Sequence, residues 1–412
     1  MAERLFKNTR FTFIGKPIYS NEPLSIKPLK EGSVWSKERL SLGIKAGNSS
    51  PFLNMEYIFK TGEDTFKLRD KHTNELFEVK GSETANKEVL DRTNPKIIID
   101  LEDDFDKKKD YLSLIYKKRN HEIINDDEKT DEDLQKIKEY TRQIKELADK
   151  RYEFAHIKDA MELLNANLPN LKDKKVRVTG NVKCNYYKGK NNLQYIPQVI
   201  ELVPDTYEEQ LTVIADIFFE KNCIEDDKEQ KKMFVSGYIG DTIKADDRFV
   251  EKLFPTTIVI DYSKVDINDE TQKMIFDIIK EAFEVKNKKL IYKNGVELKV
   301  ISGAEEIEFN EDCLTDKQKQ YIKLGIKTLD DFKPKGKIFG DKINELRLIS
   351  PTMKDEYSDG AVETAIEVND LGLYLATDDS DIKKEDIKIK DEEEVSAEDK
   401  TREIMKGLFG KI

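Results

Sequence analysis

A chain of 412 residues with 38% hydrophobic and 37% charged residues is long enough for about two or three domains joined by solvated segments. It has no run of about 18 apolar residues that could span a membrane, and its first residues lack the apolar centre of a secretory signal. The three cysteines lie far apart and without metal-ligand spacing, which argues against disulfides and a structural zinc. The sequence therefore predicts a cytoplasmic protein with no membrane partner.

The charge of the chain is unevenly distributed. The formal net charge is −12, which by itself argues against a nucleic-acid partner. Residues 1–60, however, hold ten Lys or Arg and five Asp or Glu, and residues 171–200 hold seven and one. Residues 378–399 contain eleven Asp or Glu and four Lys. Because distribution matters more than the sum for nucleic-acid binding, an anionic partner is expected at the two basic segments.

The N-terminal part, residues 1–105, predicts a small β domain. Short runs of alternating apolar and polar residues fill 11–80, and Gly, Asn and Asp separate them. Gly15 and Gly43 fall near strand centres, where a strongly bent antiparallel barrel tolerates a missing side chain. Four side chains of this part are candidates for binding nucleic acid, with the indole as the stacking ring: Trp35, Lys37, Arg39 and Lys45.

Residues 106–168 change to a helical period. Apolar residues recur at helical spacing in two stretches, and charged residues of both signs fill the other faces. Thr130 followed by Asp133 is a capping arrangement that indicates a helix start. We expect a helical hairpin that acts as a solvated strut between, or inserted into, β-modules.

Residues 169–312 predict a second β domain. Its strand candidates are VRVTGNVK, LQYIPQVIEL, LTVIADIFFEK, KKMFVSGYIGD and FPTTIVIDYS, which are rich in β-branched and aromatic residues. Five strands is the number in the Greek-key oligonucleotide-binding barrel, the OB-fold. Residues 270–283 fit an amphipathic helix packed on this domain, and Asn294 with Gly295 predicts a hairpin turn. The fold class expected for the whole chain is α+β and β-rich, with OB-like antiparallel barrels, a helical hairpin insertion and a disordered acidic C-terminal tail.

The first two of these strands form a basic hairpin whose connection holds aromatic rings beside ammonium groups. Rings stack on the bases of a single strand, and ammonium groups pair with its phosphates. The candidate side chains of the hairpin are Lys183, Tyr186, Tyr187, Lys188, Lys190 and Tyr195. An ordinary solvated hairpin with lysines at its tip is the alternative, and this segment alone leaves the two open.

The C-terminal part divides in two. Residues 313–375 predict a small extension of helices and loops, with a helix that begins at the N-cap Thr315 and ends at Gly325. Residues 376–412 are acidic and nearly free of aromatics, which predicts disorder. The tail ends in a short amphipathic stretch that is expected to fold on a protein partner, through Met405, Leu408 and Phe409.

The sequence carries little sign of catalysis. The three histidines stand alone, and no phosphate-cradling nucleotide loop or hydrolase signature is present. Three acidic pairs are candidate magnesium ligands: Asp103 with Asp104, Asp226 with Asp227, and Asp246 with Asp247. Neighbours on a strand point to opposite faces, however, so an adjacent pair rarely converges on one ion. We expect a non-enzymatic protein without a cofactor or metal.

The basic hairpin KDKKVRVTGNVKCNYYKGKNNLQYIPQVIEL, the β-rich block that follows it to Tyr262, and the acidic tail resemble a known family. They are similar to the OB-fold single-stranded DNA-binding proteins of phages that infect low-GC Gram-positive bacteria. The resemblance implies a protein that coats single-stranded DNA non-specifically during replication and recombination in the host cytoplasm. It also implies that the tail tip recruits phage replication proteins, although the tip here is basic and keeps only Phe409 of the family's acidic, aromatic end.

Two other classes of function remain open from the sequence. In the first, the chain is a phage virion or assembly protein whose lysines only solubilise its surface. In the second, it is a metal-dependent nuclease or another replication enzyme that uses the acidic pairs.

Overall fold

The computed structural model describes residues 5–63, 65–124, 129–245, 248–307, 311–333, 338–351 and 362–376. The acidic pair Asp246 and Asp247 lies outside these residues, as does the tail from residue 377 onward with Met405, Leu408 and Phe409.

The fold is α+β and β-rich, as the sequence predicted. The strands are β1 (Arg10–Pro28), β2 (Trp35–Lys45), β3 (Met55–Lys60), β4 (Thr65–Arg69), β5 (Leu76–Lys80), β6 (Ile97–Asp100), β7 (Arg151–Phe154), β8 (Val176–Tyr187), β9 (Lys190–Leu202), β10 (Gln210–Phe219), β11 (Ile224–Asp227), β12 (Lys232–Ala245), β13 (Arg248–Asp261), β14 (Leu290–Ile307), β15 (Ile338–Pro351) and β16 (Val362–Glu367). The helices are α1 (Lys87–Arg92), α2 (Phe105–Glu122), α3 (Asp131–Leu147), α4 (Ile157–Leu171), α5 (Glu270–Glu281), α6 (Asp316–Lys323) and α7 (Leu371–Tyr374).

The first barrel closes around the long strand β1. This strand pairs with β2 on one side and β8 on the other, and β2 pairs with β3, all antiparallel. Strand β9 pairs with β8 and then meets the chain just before β3 through a parallel bridge between Leu53 and Tyr195. The backbone N–H of Asn54 donates to the carbonyl of Tyr195 at 2.7 Å. The order β1-β2-β3-β9-β8-β1, with α4 before the fourth strand, is that of an OB-fold barrel.

The second barrel repeats this order in the later part of the described chain. Strand β10 pairs with β12 and β14, and β12 pairs with β13, all antiparallel. Strand β15 pairs antiparallel with β14 and parallel with β13, where Ile258 faces Leu346. The order is β10-β12-β13-β15-β14-β10, and α5 lies between the third and fourth strands. The second barrel is therefore closed by a parallel contact between its third and fifth strands, and the first by a parallel bridge between its fifth strand and Leu53, two residues before its third strand.

The two barrels are joined through their first strands. Strands β1 and β10 pair antiparallel from Arg10 opposite Ile214 to Ile14 opposite Gln210, with Thr12 opposite Thr212 at the centre. One hydrophobic core cluster contains buried residues of both barrels, among them Phe13 and Phe219. The strand pairing and the shared core make the barrels one continuous sheet.

The strand grouping differs from the one expected from the sequence. Strands β8 and β9 were expected to join β10, β12 and β13 in one barrel, but they complete the first barrel instead. The fifth strand of the second barrel is β15, in a segment that was expected to hold only helices and loops. The cause is the insertion of residues 61–156 between β3 and α4, which separates strands of one barrel along the chain. The domain boundaries drawn from the sequence stay predictions.

The hairpin turn expected at Asn294 and Gly295 is also wrong. Both residues lie inside the continuous strand β14, opposite Ile217 and Asp216 of β10. The Asn294 side chain is buried and donates a hydrogen bond to the carbonyl of Ala282 at 3.2 Å. Tertiary burial therefore overrides the local turn preference of the dipeptide.

The helical hairpin expected in the insertion is confirmed, with α2 packed against α3. The predicted caps are present as well: Thr130 and Asp133 form a capping box on α3, and Thr315 forms one with Gln318 on α6. In these reciprocal contacts the cap side chain accepts from a backbone N–H of the first turn. None of the described helices is long and apolar enough to cross a membrane.

The insertion packs on the first barrel through His156, which N-caps α4. The imidazole accepts from the backbone N–H of Lys158 and stacks on Phe66 of β4 at 4.0 Å between ring centroids. Its ring also meets Tyr57 of β3 edge-on at 5.2 Å. Burial, together with Lys96 and Lys158, lowers the pKa of His156 to about 4. The imidazole is therefore neutral in the folded protein near neutral pH.

Two glycines allow the close strand approaches in the first barrel. A Cβ on Gly180 of β8 would lie 2.0 Å from the carbonyl oxygen of Ile196, and one on Gly15 of β1 would lie 2.2 Å from that of Lys45. Both clashes are with backbone, which cannot rotate away. The expectation of glycines at the bends of a small barrel agrees with these contacts.

We expect Gly180→Ala to lower the free energy of unfolding by about 1 to 3 kcal/mol or more, because the methyl group forces apart two paired strands. The matched control is Gly372→Ala, since a Cβ at Gly372 meets no atom within 4 Å. Thermal unfolding of both variants checks this. Equal melting temperatures would contradict the close approach at Gly180.

A second prediction concerns the pH dependence of stability. Because the pKa of His156 is lowered from 6.5 to about 4, its contribution is fully present above pH 6.5 and is lost as the pH falls through 4. At 1.36 kcal/mol per pKa unit this amounts to at most about 3 kcal/mol. Thermal melts between pH 4 and 7 should therefore fall less steeply for His156→Asn than for the wild type. Parallel pH profiles would contradict a buried, neutral imidazole.

Candidate nucleic-acid interface

Three of the residues singled out in the sequence lie on one face of β2. Trp35, Lys37 and Arg39 alternate with buried residues and so project to the outside of the first barrel. Trp35 begins the strand and is 46% exposed, which leaves a face of the indole open to solvent. The alternating pattern of the sequence therefore brings a ring and two cations together.

Cross-strand neighbours extend this face. Lys60 of β3 lies opposite Trp35, and Ile58 of β3 and Lys27 of β1 lie opposite Lys37. Opposed residues of an antiparallel pair share a side of the sheet. Glu56 is the acid among them, and its carboxylate pairs with the Lys37 amine at 3.3 Å. We call this set the β2–β3 face: Lys27, Trp35, Lys37, Arg39, Glu56, Ile58 and Lys60.

The hairpin of β8 and β9 ends in a tight turn. Lys188 and Gly189 have φ angles of 52° and 73°, and Tyr187 pairs with Lys190 on either side. Two left-handed central residues form a turn whose twist suits a hairpin. Tyr187 is 40% exposed, and the Lys188 amine lies 5.2 Å from the centre of its ring. Tyr186 is half-buried and packs against the core.

A cleft of about 1170 Å³ lies between the two barrels. From the first barrel it is lined by Arg39, by Phe52 and by the hairpin from Gly189 to Tyr195. From the second barrel it is lined by the chain between β10 and β12 and by the strands β12, β13 and β15. Arg39 belongs both to the β2–β3 face and to the cleft, so the two surfaces meet at its side chain.

Phe52 is a lining residue that sequence reasoning missed. Its ring is 49% exposed, although the residue lies between strands in an otherwise buried stretch. Leu53, its neighbour, is buried where the barrel closes on Tyr195. Because this closure is a contact between distant parts of the chain, no local pattern in the sequence identifies the exposed ring.

The acidic side chains Glu345 and Glu220, which line the cleft, form hydrogen bonds with other side chains of the protein. Glu345 bonds to Lys232 at 3.0 Å and to Arg347 at 2.8 Å, and although burial acts to raise its pKa, these cations hold the pKa below the usual value. Glu220 accepts from the Tyr238 hydroxyl at 3.1 Å. Burial and this carboxylate raise the pKa of Tyr238 to about 12.

Three cations of the cleft contrast with these acids. They are Arg39, Lys190 and Lys221. Within the part of the chain that the structure describes, none of them forms an ion pair, and so their charge is available to an anionic ligand.

The expected stacking role of Tyr195 is wrong. Its side chain is 8% exposed and packs between Phe11 and Phe13, with ring centroids 5.5 and 4.8 Å away. Burial raises the pKa of its hydroxyl well above the usual value. The alternation along β9 gives two faces, and Tyr195 lies on the inner one, where the barrel closes.

The Lys183 amine is bonded within the protein and is not available to a ligand. Its amine donates to the Asp241 carboxylate at 2.6 Å and to the carbonyl of Thr242 at 3.0 Å. The backbone N–H of Cys184 donates to the other oxygen of Asp241 at 2.9 Å. Asp241 is buried on β12, so these contacts tie the basic hairpin of the first barrel to the second barrel.

Lys45 is exposed at the far end of β2, opposite Lys16 of β1. It lies ten residues along the strand from Trp35, away from the cleft. Its role in binding stays a prediction.

The acidic pairs have structural roles in the described chain. The Asp103 carboxylate accepts from Lys150 at 2.6 Å and from Lys174 at 3.1 Å, and these bonds hold its pKa well below the usual range. Asp104 caps α2, and Asp227 accepts two backbone N–H groups in the turn before β12. Among the described residues, no three His, Cys, Asp or Glu side chains group as metal ligands.

No protein-family model matches the chain, and no curated protein matches it. One similar solved structure is the crystal structure of a mutant of the single-stranded DNA-binding protein from Thermus aquaticus. It is 7% identical, with a TM-score of 0.25, over 72% of this chain and 87% of that one. The strand pairing within this chain itself defines the two barrels.

We expect Asp241→Ala to lower the free energy of unfolding by about 2 kcal/mol or more, because it leaves the Lys183 amine and a backbone N–H without their charged acceptor. Asp205→Ala is the matched control, since among the described residues this exposed residue forms a hydrogen bond only through its backbone carbonyl, which accepts from Lys175. Urea unfolding of the two variants measures the difference. The tie between the barrels would be refuted by equal midpoints.

Proposed function

We propose that the chain binds single-stranded DNA without sequence specificity, along a path from the β2–β3 face into the cleft between the barrels. The observation that carries the proposal is the position of Arg39. It continues the row of Trp35 and Lys37 on β2 and also lines the cleft with Phe52 and Lys190. Open rings and unpaired cations along one path are the requirements for binding unpaired nucleic acid.

The strand order supports this path. OB-fold barrels bind oligonucleotides on the face of their second and third strands and on the loops after the first and fourth strands. In the first barrel these elements are the β2–β3 face and the tip of the β8–β9 hairpin. In the second barrel β12, β13 and the chain after β10 line the cleft. The elements that bind in such barrels therefore meet at the same groove from both sides.

The chemistry of the path favours stacking and phosphate contacts over base reading. Trp35 and Phe52 offer exposed rings, and every base has a face that stacks on such a ring. Arg39, Lys190 and Lys221 offer cations to the phosphates, which are the same at every nucleotide. Binding of this kind depends on salt and tolerates any sequence.

We further propose that the bound strand is phage DNA undergoing replication or recombination in the cytoplasm of a bacterial host. The support for this is the resemblance of the basic hairpin and the following β-rich block to phage single-stranded DNA-binding proteins. Recruitment of replication proteins through Met405, Leu408 and Phe409 has the same support, and these residues lie outside the described part of the chain.

Oligo-dT affinity measured over a salt series tests the proposal. We expect Trp35→Ala to weaken binding about 5- to 150-fold, because one stacked base contributes roughly 1 to 3 kcal/mol. We expect Arg39→Gln with Lys190→Gln to reduce the slope of log affinity against log salt by about 1.4, which is about 0.7 for each lost phosphate contact.

The controls are a ring and a cation of the helical hairpin. Tyr116→Ala removes an exposed ring of α2, and Lys138→Gln removes an exposed cation of α3. Both should bind like the wild type. If oligo-dT is not retained even at low salt, or if Trp35→Ala and Tyr116→Ala bind alike, the proposal fails. The first result would favour a virion or assembly role.

A further inference from the structure

A second basic pocket lies in the insertion, away from the cleft. Its volume is about 460 Å³, within the range of about 300 to 1,000 Å³ typical of small-ligand sites. It is formed by the β4–β5 hairpin, the segment before β6 and the residues before α4. Four of its lining residues are cations: Lys67, Arg69, Lys71 and Lys96.

The pocket lies on the other side of the first barrel's sheet from the proposed DNA path. Tyr57 of β3 and its opposite residue Glu38 alternate with the outward β2–β3 face, and so they point away from it. His156 packs against Tyr57 and also lines the pocket. A ligand in this pocket is therefore separate from a strand on the β2–β3 face.

The acid in the pocket is already satisfied. Asp70 accepts from the backbone N–H groups of His72 and Thr73, and its other oxygen pairs with Arg92 at 3.0 Å. These hydrogen bonds hold the pKa of Asp70 below its usual value, and the bond from the backbone N–H of His72 has the largest effect. The carboxylate is therefore charged, but it is paired with Arg92 and two backbone N–H groups and not with the cations that line the pocket.

The cations that line the pocket form fewer ion pairs and hydrogen bonds with the protein than Asp70 does. Lys71 and Lys96 form no ion pair within the described residues. Lys67 pairs only loosely, at 3.8 Å, with the exposed Glu78. Arg69 donates through one terminal nitrogen to Asn74, which leaves its other N–H groups for a ligand. Four like charges around one pocket repel one another unless an anion binds there.

We propose that this pocket binds the phosphate groups of an oligophosphate or of a nucleic-acid backbone. A phosphate is favoured over a base because the described residues of the lining include no open aromatic ring. Its apolar members are Leu68 and Ala155, which are buried, and the imidazole of His156 is covered by Phe66. Cations with polar amides such as Asn74 and Asn94 are the partners that phosphate oxygens require.

Inorganic tripolyphosphate is the probe, and the full chain is titrated with it by calorimetry at low salt. We expect Lys71→Gln with Lys96→Gln to weaken its binding roughly tenfold or more, because each loses a charged hydrogen-bond donor. Neither substitution breaks an ion pair among the described residues, so the protein should stay folded. The control is Lys80→Gln with Lys87→Gln, two exposed cations of the same insertion outside the pocket, and this variant should bind like the wild type.

A spectroscopic readout locates the bound anion. The chain has three histidines, and the imidazole signal of His156 should shift on binding because the anion offsets the charge of Lys96 beside it. His121, which is hydrogen-bonded to Asp133 on the helical hairpin, serves as the internal reference and should not move. Equal shifts of both signals, or equal affinity of the pocket variant and the wild type, would overturn the proposal.

Two oligo-dT lengths distinguish the sources of phosphate. One is about 16 nucleotides, which is near the upper limit for a single OB barrel, and the other is about 60. Weaker binding of only the longer strand by the pocket variant identifies the DNA backbone as the ligand, and unchanged binding of both identifies a free phosphate compound. Because tripolyphosphate is titrated without DNA, failure of this inference is distinguishable from failure of the DNA-binding proposal.

Discussion

The antiparallel pairing of β1 with β10 determines the arrangement of the whole molecule. Each of these strands is the first of its barrel and also pairs with the fourth strand of that barrel, so one ladder orients both units. The ladder has Thr12 opposite Thr212 at its centre and a buried core on either side. Because backbone hydrogen bonds and a shared core hold the barrels together, the cleft between them has fixed walls, unlike one between linked domains.

A fixed cleft would lower the free-energy cost of the DNA binding proposed above. Ordering flexible groups on association costs free energy, and walls that are already in place avoid part of that cost. The contact of Lys183 with Asp241 adds to this, since it attaches the tip-bearing hairpin of the first barrel to β12 of the second. A lysine that appeared in the sequence to be a ligand contact thus supports the groove from within, while Arg39, Lys190 and Lys221 keep their charge for the groove itself.

Local signals in the sequence predicted local structure well. The caps at Thr130 and Thr315 depend on neighbours in the chain, and both were predicted. The binding roles of Trp35, Lys37 and Arg39 stay predictions. Features that depend on contacts between distant parts of the chain could not be predicted from the sequence. The alternating pattern of β9 does not show which of its two faces is buried, because the inward position of Tyr195 depends on the bridge between β9 and Leu53. The insertion hid which barrel β8 and β9 complete, and burial of Asn294 cancelled a strong turn signal.

The closure of the first barrel has a consequence for the order in which the chain assembles. Its third strand ends at Lys60, but the strand that seals it, β9, runs from Lys190 to Leu202, after the whole insertion. During synthesis from the N-terminus, the edge of the sheet at β3 stays unpaired until β9 has emerged from the ribosome. Loop closure over such a separation is entropically costly and slow. Strand β10 follows at Gln210, so completion of the first barrel and the start of the second nearly coincide.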